Sequence, residues 1–305
     1  MNTTTLRMLC VLCLVLVSSL GFGQNERPEK FDALTWRFVG PINGNRGSVV
    51  LGHPTEPNTF YFGASNGLWK TEDAGTYWEP VGDEYFKSGN IGAMEFSESD
   101  PNIAYVGMGE PQMRNNVSWG DGVYKTADNG KTWTHLGLEE THHISQIRVH
   151  PTDPDIVFVG AFGHAFGPNP ERGVYRTKDG GKTWEQVLFK SDKAGVIDLV
   201  MNPSNPNELF AVMWEFERKA WGPKTGGPDS GLWKSTDGGD TWTEITYAQG
   251  LPEGGRGRAG ITMSAADATK VYALIDSETK SGLYASTDLG ENWEFVSDFF
   301  QIIGR

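Results

Sequence analysis

The 305-residue sequence is poor in cysteine, with only Cys10 and Cys13, and both fall in an apolar stretch over residues 8–20. This stretch is shorter than the about 20 apolar residues that a membrane-spanning helix needs. Small residues follow it, so residues 1–23 are predicted to be a cleaved signal peptide. The mature chain then has no cysteine. This excludes disulfides, cysteine nucleophiles and thiolate-bound zinc.

Basic residues are also scarce, because 26 Lys and Arg face 39 Asp and Glu, for a formal net charge of −13. Nucleic-acid binding depends on neutralising phosphates with Lys and Arg, so no nucleic-acid partner is expected. No stretch after residue 23 is apolar enough to span a membrane, and no membrane span is expected either. The predicted location is therefore secreted, periplasmic or at the cell surface.

What the sequence does contain is a repeat. The pattern Ser/Thr-x-Asp-x-Gly-x-x-Trp occurs five times, at intervals of roughly 50 to 60 residues. Each copy follows a short strand-like segment such as Gly122–Lys125 or Gly173–Arg176. Further upstream, apolar residues recur two apart, as at Ile147 and Val149, which is the period of a sheet.

Each unit reads as four strands, with no crossover helix between units. Small four-stranded antiparallel sheets repeated in this way are typical of propeller blades. We therefore predict an all-β fold, a β-propeller of four-stranded antiparallel blades with about five blades present, over residues 24–305. The predicted blades are approximately 46–82, 90–138, 143–190, 194–247 and 258–297.

The five motifs resemble the Asp-boxes, or BNR repeats, of sialidases, sortilins and related propellers. Residues 34–305 also resemble the N-terminal part of large secreted bacterial proteins with a sortilin N-terminal-like domain. The segments Thr35–Pro41, Trp119–Lys125 and Gly195–Met201 carry that closer resemblance. The resemblance is specific for the fold and much less so for the function.

The ends of the chain bear on the size of the propeller. Residues 34–40 resemble a closing fourth strand, and residues 298–305 resemble the start of a further unit. Because the resembled proteins have more blades, we expect this chain to be a fragment, with further propeller or C-terminal domains outside it. A closed ring of five blades is the alternative.

The repeated aspartates invite a catalytic interpretation, but a structural one is favoured. An Asp or Ser/Thr side chain can accept hydrogen bonds from nearby backbone N–H groups in a turn, and the following glycine permits positive φ. The tryptophan packs on the blade. The residues assigned this structural role are Asp73, Trp78, Asp128, Trp133, Asp179, Trp184, Asp237, Trp242, Asp288 and Trp293.

No metal site or cofactor is expected. His142 and His143 are adjacent, and on a strand they would point to opposite faces. The Gly180–Thr183 segment lacks the earlier glycine that a phosphate-binding loop requires.

Ligand sites on propellers usually lie at one mouth of the central channel. That face receives the loops that join strands two and three of a blade and the loops between blades. Several of these loops combine aromatic and charged side chains, which suit recognition of sugars or peptides. The candidate ligand-binding residues are Glu110, Arg114, Trp119, Glu215, Arg218 and Trp221.

Two functions are consistent with these features. The first is an exported, non-catalytic, sortilin-like scaffold that binds a peptide, protein or glycan. The alternative is a glycoside hydrolase of the Asp-box propeller type acting on a polysaccharide, which would need two carboxyl groups across the scissile bond. Sialidase activity is not expected, since no Tyr–Glu pair is identifiable and the first-blade region reads Val39–Asn43 in place of the sialidase Arg-Ile-Pro.

Overall fold

The alternating apolar segments form strands in the computed structural model, which describes residues 40–41 and 46–303. Twenty-one strands are present in the described chain, with a short 3-10 helix at Glu139–Thr141 and one short α-helix, α1 (Phe300–Ile303), after the last strand. The strands form five antiparallel sheets in which neighbours along the chain are neighbours in space. This confirms the predicted all-β propeller of four-stranded blades.

The strand bounds define five blades. Blade 1 consists of β1 (Gly47–Gly52), β2 (Phe60–Ala64), β3 (Gly67–Thr71) and β4 (Glu79–Val81). Blade 2 consists of β5 (Ile91–Phe96), β6 (Ala104–Met108), β7 (Val123–Thr126) and β8 (Thr134–His135). Blade 3 consists of β9 (Ile144–Val149), β10 (Val157–Ala161), β11 (Gly173–Thr177) and β12 (Glu185–Leu188).

Blades 4 and 5 follow the same order, with one addition. Blade 4 consists of β13 (Ala194–Asn202), β14 (Asn205–Lys219), β15 (Gly222–Thr225), β16 (Gly231–Ser235) and β17 (Thr243–Glu244). Blade 5 consists of β18 (Arg256–Met263), β19 (Val271–Ser277), β20 (Gly282–Ser286) and β21 (Glu294–Ser297). The addition is the β14–β15 hairpin, which extends beyond the four-stranded sheet and pairs Phe216 with Thr225.

The hydrophobic core lies between the blades. Tyr61 and Leu68 of blade 1, for example, form one buried cluster with Met94 and Tyr124 of blade 2. Fully burying such a side chain contributes on the order of 2 kcal/mol. Each blade is too thin to form a core alone, so its stability depends on its neighbours.

The first strands of successive blades pack side by side, β1 on β5, β5 on β9, β9 on β13 and β13 on β18. Among the described residues, no comparable contact joins β18 back to β1. Every first strand carries a register shift against its second strand. In blade 3 the shift falls at Ser145, whose hydroxyl donates to Gly160 O in its own blade and to Val196 O in the next. The shift thus turns one side chain toward the neighbouring blade.

Some predictions concern the ends of the chain. The predicted signal peptide, 1–23, lies outside the described residues, as does nearly all of the predicted closing strand, 34–40. The further unit predicted at 298–305 begins with α1 in the structure and stays a prediction. No helix in the described part of the chain is long and apolar enough to cross a membrane.

Candidate functional site

The five Asp-box motifs form the hairpins between the third and fourth strands. In blade 3, Thr177 Oγ1 accepts the N–H of Gly181 at 2.9 Å, and Asp179 Oδ1 accepts the N–H of Thr183 at 2.9 Å. Hydrogen bonds from Thr183 and Thr177 lower the pKa of Asp179 to about 2. Equivalent carboxylate-to-backbone bonds hold the other four turns, at Asp73, Asp128, Asp237 and Asp288. These carboxylates are therefore engaged by their own hairpins.

The motif tryptophans close the same hairpins by packing. Trp133 and Trp293 are buried, and each indole N–H donates to the carbonyl of its motif glycine. Trp184 donates instead to Leu136 O at 2.9 Å, in the preceding blade. Trp78 packs edge-on against Phe62. Trp242 packs against the buried cluster that joins blades 3 and 4.

The opposite end of the propeller, where the second strand joins the third and each blade joins the next, is called the top face below. Its most extended loop is 109–122 in blade 2. Glu110 is buried at 4% exposure, accepts the N–H of Ser118 at 3.1 Å, and forms an ion pair with Arg114. The predicted pair Glu110 and Arg114 therefore fastens this loop to itself.

The same loop carries Trp119, which is 60% exposed. Its indole stacks on the imidazole of His142, with ring centroids 5.0 Å apart and planes at 29°. His142 in turn contacts His164 edge-on at 5.8 Å. Burial, and then the charge of His142, lower the pKa of His164. This places an exposed indole at the end of an aromatic row that runs from blade 2 to blade 3.

The other three candidates lie on β14 and on the turn of the β14–β15 hairpin in blade 4. Glu215 is buried at 3% exposure and accepts the N–H of Asp229 at 3.1 Å, with Lys224 Nζ 3.6 Å away. The N–H of Arg218 donates to Ala165 O of blade 3. Trp221, at the turn, is 87% exposed.

An apolar cluster connects the blade 2 loop to the blade 4 hairpin. Met113 and Val117 pack against the cluster that contains Phe162, Trp214 and Phe216. The structure thus brings the two sets of candidates to one face. Within each set, the Glu is buried in the fold and the Trp is presented to solvent.

Sequence reasoning missed Arg172, which organises this face. Its side chain is fully buried, and its guanidinium donates to Lys193 O, His164 O, Gly167 O and Phe216 O. Burial lowers its pKa to about 10. One arginine therefore holds the blade 3 loop, the following inter-blade loop and the base of the blade 4 hairpin.

A second missed feature is the polar lining of the central channel. The polar and charged side chains of the first strands include Glu95, Gln146, Arg148, Asp198 and Arg258. All five first strands line a cavity of about 130 Å³ beneath the blade 2 loop. The available signal was a polar residue at the same position of consecutive first strands, such as Gln146 and Asp198.

Two of these channel groups have a pKa displaced by burial. Burial raises the pKa of Glu95 to about 7, against the opposing effects of Arg148, 3.8 Å away, and of the N–H of Val149. Burial likewise raises the pKa of Asp198. Both carboxylates accept backbone N–H groups from the next blade, so their positions are explained by blade-to-blade contacts.

The third missed feature is a groove of about 510 Å³ on the top face, at the junction of blades 4 and 5. Tyr247, Asp276 and Glu278 line it, together with glycines of two segments. Over residues 40–41 and 46–303, no three side chains among His, Asp and Glu are grouped to hold a metal ion.

Comparison with known proteins agrees with this architecture. Residues 121–249 match the model of the Sortilin-Vps10 family, described as sortilin, neurotensin receptor 3. A xyloglucanase of Paenibacillus sp. is 24% identical over 243 residues, which cover 72% of this chain and 22% of the relative. A probable oligoxyloglucan-reducing end-specific xyloglucanase of Neosartorya fischeri is 24% identical over 254 residues, 78% of this chain and 27% of the relative.

The solved structure of an ancestral GH74 enzyme superimposes with a TM-score of 0.62 at 15% identity, over 82% of this chain and 32% of that one. At this identity the likeness shows the fold. The predicted resemblance to sortilin-like propellers is confirmed by the family model and by these propeller neighbours. The chain spans about a quarter of the length of the curated relatives it matches.

Proposed function

We propose that this propeller recognises a polysaccharide through its top face, as the glycan-binding part of a protein of the glycoside hydrolase type. One observation carries the proposal. Among the tryptophans of the described residues, only Trp119 and Trp221 are exposed, and both belong to top-face loops. Exposed indoles present a large apolar face with one polar N–H, which suits stacking on a sugar ring.

The relatives support a polysaccharide over other ligands. Both curated relatives named above are xyloglucanases, and their matches cover most of this chain. We therefore propose a neutral β-glucan such as xyloglucan as the ligand class. The net charge of −13 favours a neutral chain over an acidic one, because an acidic chain would be repelled.

We propose that this propeller binds the polysaccharide and does not supply the acid and base of hydrolysis. Glycosidases need two carboxyl groups about 5 to 9.5 Å apart across the scissile bond. Glu110 and Glu215, the two carboxylates among the candidate ligand-binding residues, are buried and hydrogen-bonded to their own loops. We therefore assign these two carboxylates to stabilising their loops.

Export is part of the proposal. The predicted signal peptide, 1–23, would direct export of the protein to the periplasm or the cell exterior, where it can contact polysaccharides. Further blades or domains beyond this chain would complete the protein, consistent with its share of the relatives' length. Mass spectrometry of the protein recovered from its source should find Gln24 at the N-terminus. A mature N-terminus at Met1 would contradict export by this route.

The test is affinity electrophoresis of the full chain in gels containing xyloglucan or mixed-linkage β-glucan. Trp119→Ala and Trp221→Ala should each weaken retardation by about 3- to 10-fold, the loss expected for one stacking contact. Tyr77→Ala is the matched control, because Tyr77 is 79% exposed on the Asp-box hairpin of the opposite face. Absence of retardation, or an equal effect of all three variants, would overturn the proposal.

A second candidate is peptide or protein binding, favoured by the match of residues 121–249 to the sortilin family model. That segment includes the β8–β9 loop with His142, the Arg172 loop and the blade 4 hairpin. The same variants tested against an array of extended peptides separate the two functions. Peptide binding that is lost with Trp221→Ala, in a protein that ignores every glycan, would establish this second function. Mass spectrometry of the glycans after incubation with the protein would show whether the chain also cleaves them.

A further inference from the structure

The groove at the junction of blades 4 and 5 has the size of a ligand site. Its volume of about 510 Å³ falls within the roughly 300–1,000 Å³ typical of small-molecule pockets. One wall is the segment 225–228 after β15, and the floor is the segment 254–257 that opens β18. Asp276 and Glu278, at the end of β19, and Tyr247, in the loop between blades, complete the lining.

The floor is open because it is built from glycine. A Cβ at Gly257 would lie 2.0 Å from Asp276 Oδ2, and a Cβ at Gly255 would lie 2.7 Å from the carboxyl carbon of Glu278. Neither distance can be tolerated without a shift. Glycine therefore lets both carboxylates lie directly over the main chain, and Gly255 N–H donates to Glu278 Oε2 at 3.1 Å.

Asp276, near the end of β19, and Glu278, just after it, both line the groove. Asp276 and Glu278 are both exposed, so each retains acceptor positions toward the groove. Ser281 Oγ donates to Asp276 Oδ1 at 3.2 Å, which fixes the orientation of that carboxylate.

The aromatic side of the groove is held in place from below. Tyr247 is 66% exposed, and the guanidinium of Arg256 lies 5.3 Å from its ring centroid. Arg256 is itself buried and donates to Thr246 O at 2.7 Å and to Pro252 O. Its Nε has no hydrogen-bond partner within the described part of the chain. An arginine thus fixes the loop that carries the tyrosine, so the ring is positioned before any ligand arrives.

We propose that this groove is a subsite for a neutral sugar unit of the polysaccharide. The ring of the sugar packs on Tyr247, and two of its hydroxyls donate to the carboxylates of Asp276 and Glu278. This inference rests on the proposed function and deepens it, since it names a neutral hexose or pentose as the unit bound. A uronic or sialic acid is excluded, because its carboxylate would face two carboxylates of the groove.

Isothermal titration of the full chain with xyloglucan oligosaccharides tests the subsite. Tyr247→Ala should weaken binding about 3- to 10-fold, as for loss of one stacking contact. The double variant Asp276→Asn, Glu278→Gln should weaken it about 10- to 100-fold, as for loss of hydrogen bonds to charged acceptors. Glu98→Gln and Tyr77→Ala, exposed residues away from the groove, are the matched controls and should bind normally.

A third variant separates shape from charge. Gly257→Ala retains every carboxylate but places a methyl group against Asp276, so it should weaken oligosaccharide binding while the thermal unfolding transition remains cooperative. If that variant does not fold, the Asp276 and Glu278 variants alone decide the matter, because both residues are exposed.

The outcomes distinguish this inference from the proposed function. If Trp119→Ala and Trp221→Ala weaken binding and the groove variants do not, the subsite is wrong and the proposed function stands. If no glycan binds any form of the protein, both are overturned. Tighter binding of polygalacturonate than of xyloglucan, or a Lys-rich peptide that competes only when Asp276 and Glu278 are intact, would also overturn the sugar subsite.

Discussion

The carboxylate of Asp198 on β13 accepts the backbone N–H of Ile261 on β18 at 2.9 Å, and so joins blade 4 to blade 5. Its other oxygen accepts Gln146 Nε2 of blade 3 at 3.1 Å. One half-buried side chain therefore connects blades 3, 4 and 5. Glu95 forms the corresponding connection from blade 2, to the N–H of Val149 in blade 3.

Asp198→Ala should lower the free energy of unfolding by about 2 to 3 kcal/mol, because it leaves the Ile261 N–H buried without an acceptor. The measurement is urea denaturation followed by tryptophan fluorescence. Asp267→Ala is the control, since Asp267 is an acid that accepts a local turn N–H, from Thr269, and joins no blades. A loss at Asp198 no larger than the loss at Asp267 would contradict the inter-blade role.

His143 should make the fold sensitive to acid. Burial, followed by the charge of His142, lowers the pKa of His143 to about 3. The unfolded chain, with an ordinary pKa near 6.5, binds the proton first as the pH falls. Stability is therefore fully present above pH 6.5 and is lost progressively down to pH 3. Between pH 6.5 and 5 the loss approaches about 2 kcal/mol at 1.36 kcal/mol per pKa unit.

The check is to compare wild type with His143→Gln by denaturation at pH 7 and pH 5. The variant should lose distinctly less stability on acidification, because it has no imidazole to protonate. His150→Gln serves as the control, since that imidazole is partly exposed in a turn. If wild type and His143→Gln respond equally to pH, the imidazole does not control the acid sensitivity.

Arg172→Lys should destabilise the top face even though it keeps the positive charge. A lysine ammonium cannot reach all four carbonyls that the planar guanidinium binds, and it would leave several of them buried without donors. The expected cost is about 2 to 4 kcal/mol. Limited proteolysis should show new cleavage in the 163–171 loop. Arg148→Lys, at a half-buried channel arginine, is the comparison, and equal cleavage in both variants would contradict this role for Arg172.

The sequence was enough to predict the architecture and much less of the site. Asp-box hairpins are local, since Asp179 binds its own turn, and strand alternation is local too. Trp119 and Trp221 could be chosen by residue type and loop position. Glu110 and Glu215 could not be recognised as buried, because their burial depends on Arg114 in one case and on the 226–230 segment in the other. The groove beside Tyr247 forms where blades 4 and 5 meet, and a local sequence pattern cannot predict that contact.

The Asp-box glycines allow a last test. Their positive φ is required by their own hairpin, whereas their packing involves the preceding blade. Gly181 has φ of 91°, and a Cβ there would lie 2.4 Å from Leu136 Cδ1 of the preceding blade. Gly181→Ala should therefore cost about 1 to 3 kcal/mol, from backbone strain and overpacking together. Gly167→Ala is the matched control, because its Cβ would meet only His164 at 3.6 Å. The measurement is the melting temperature of each variant relative to wild type. Equal decreases for the two variants would mean that the motif glycine is not needed to join blades 2 and 3.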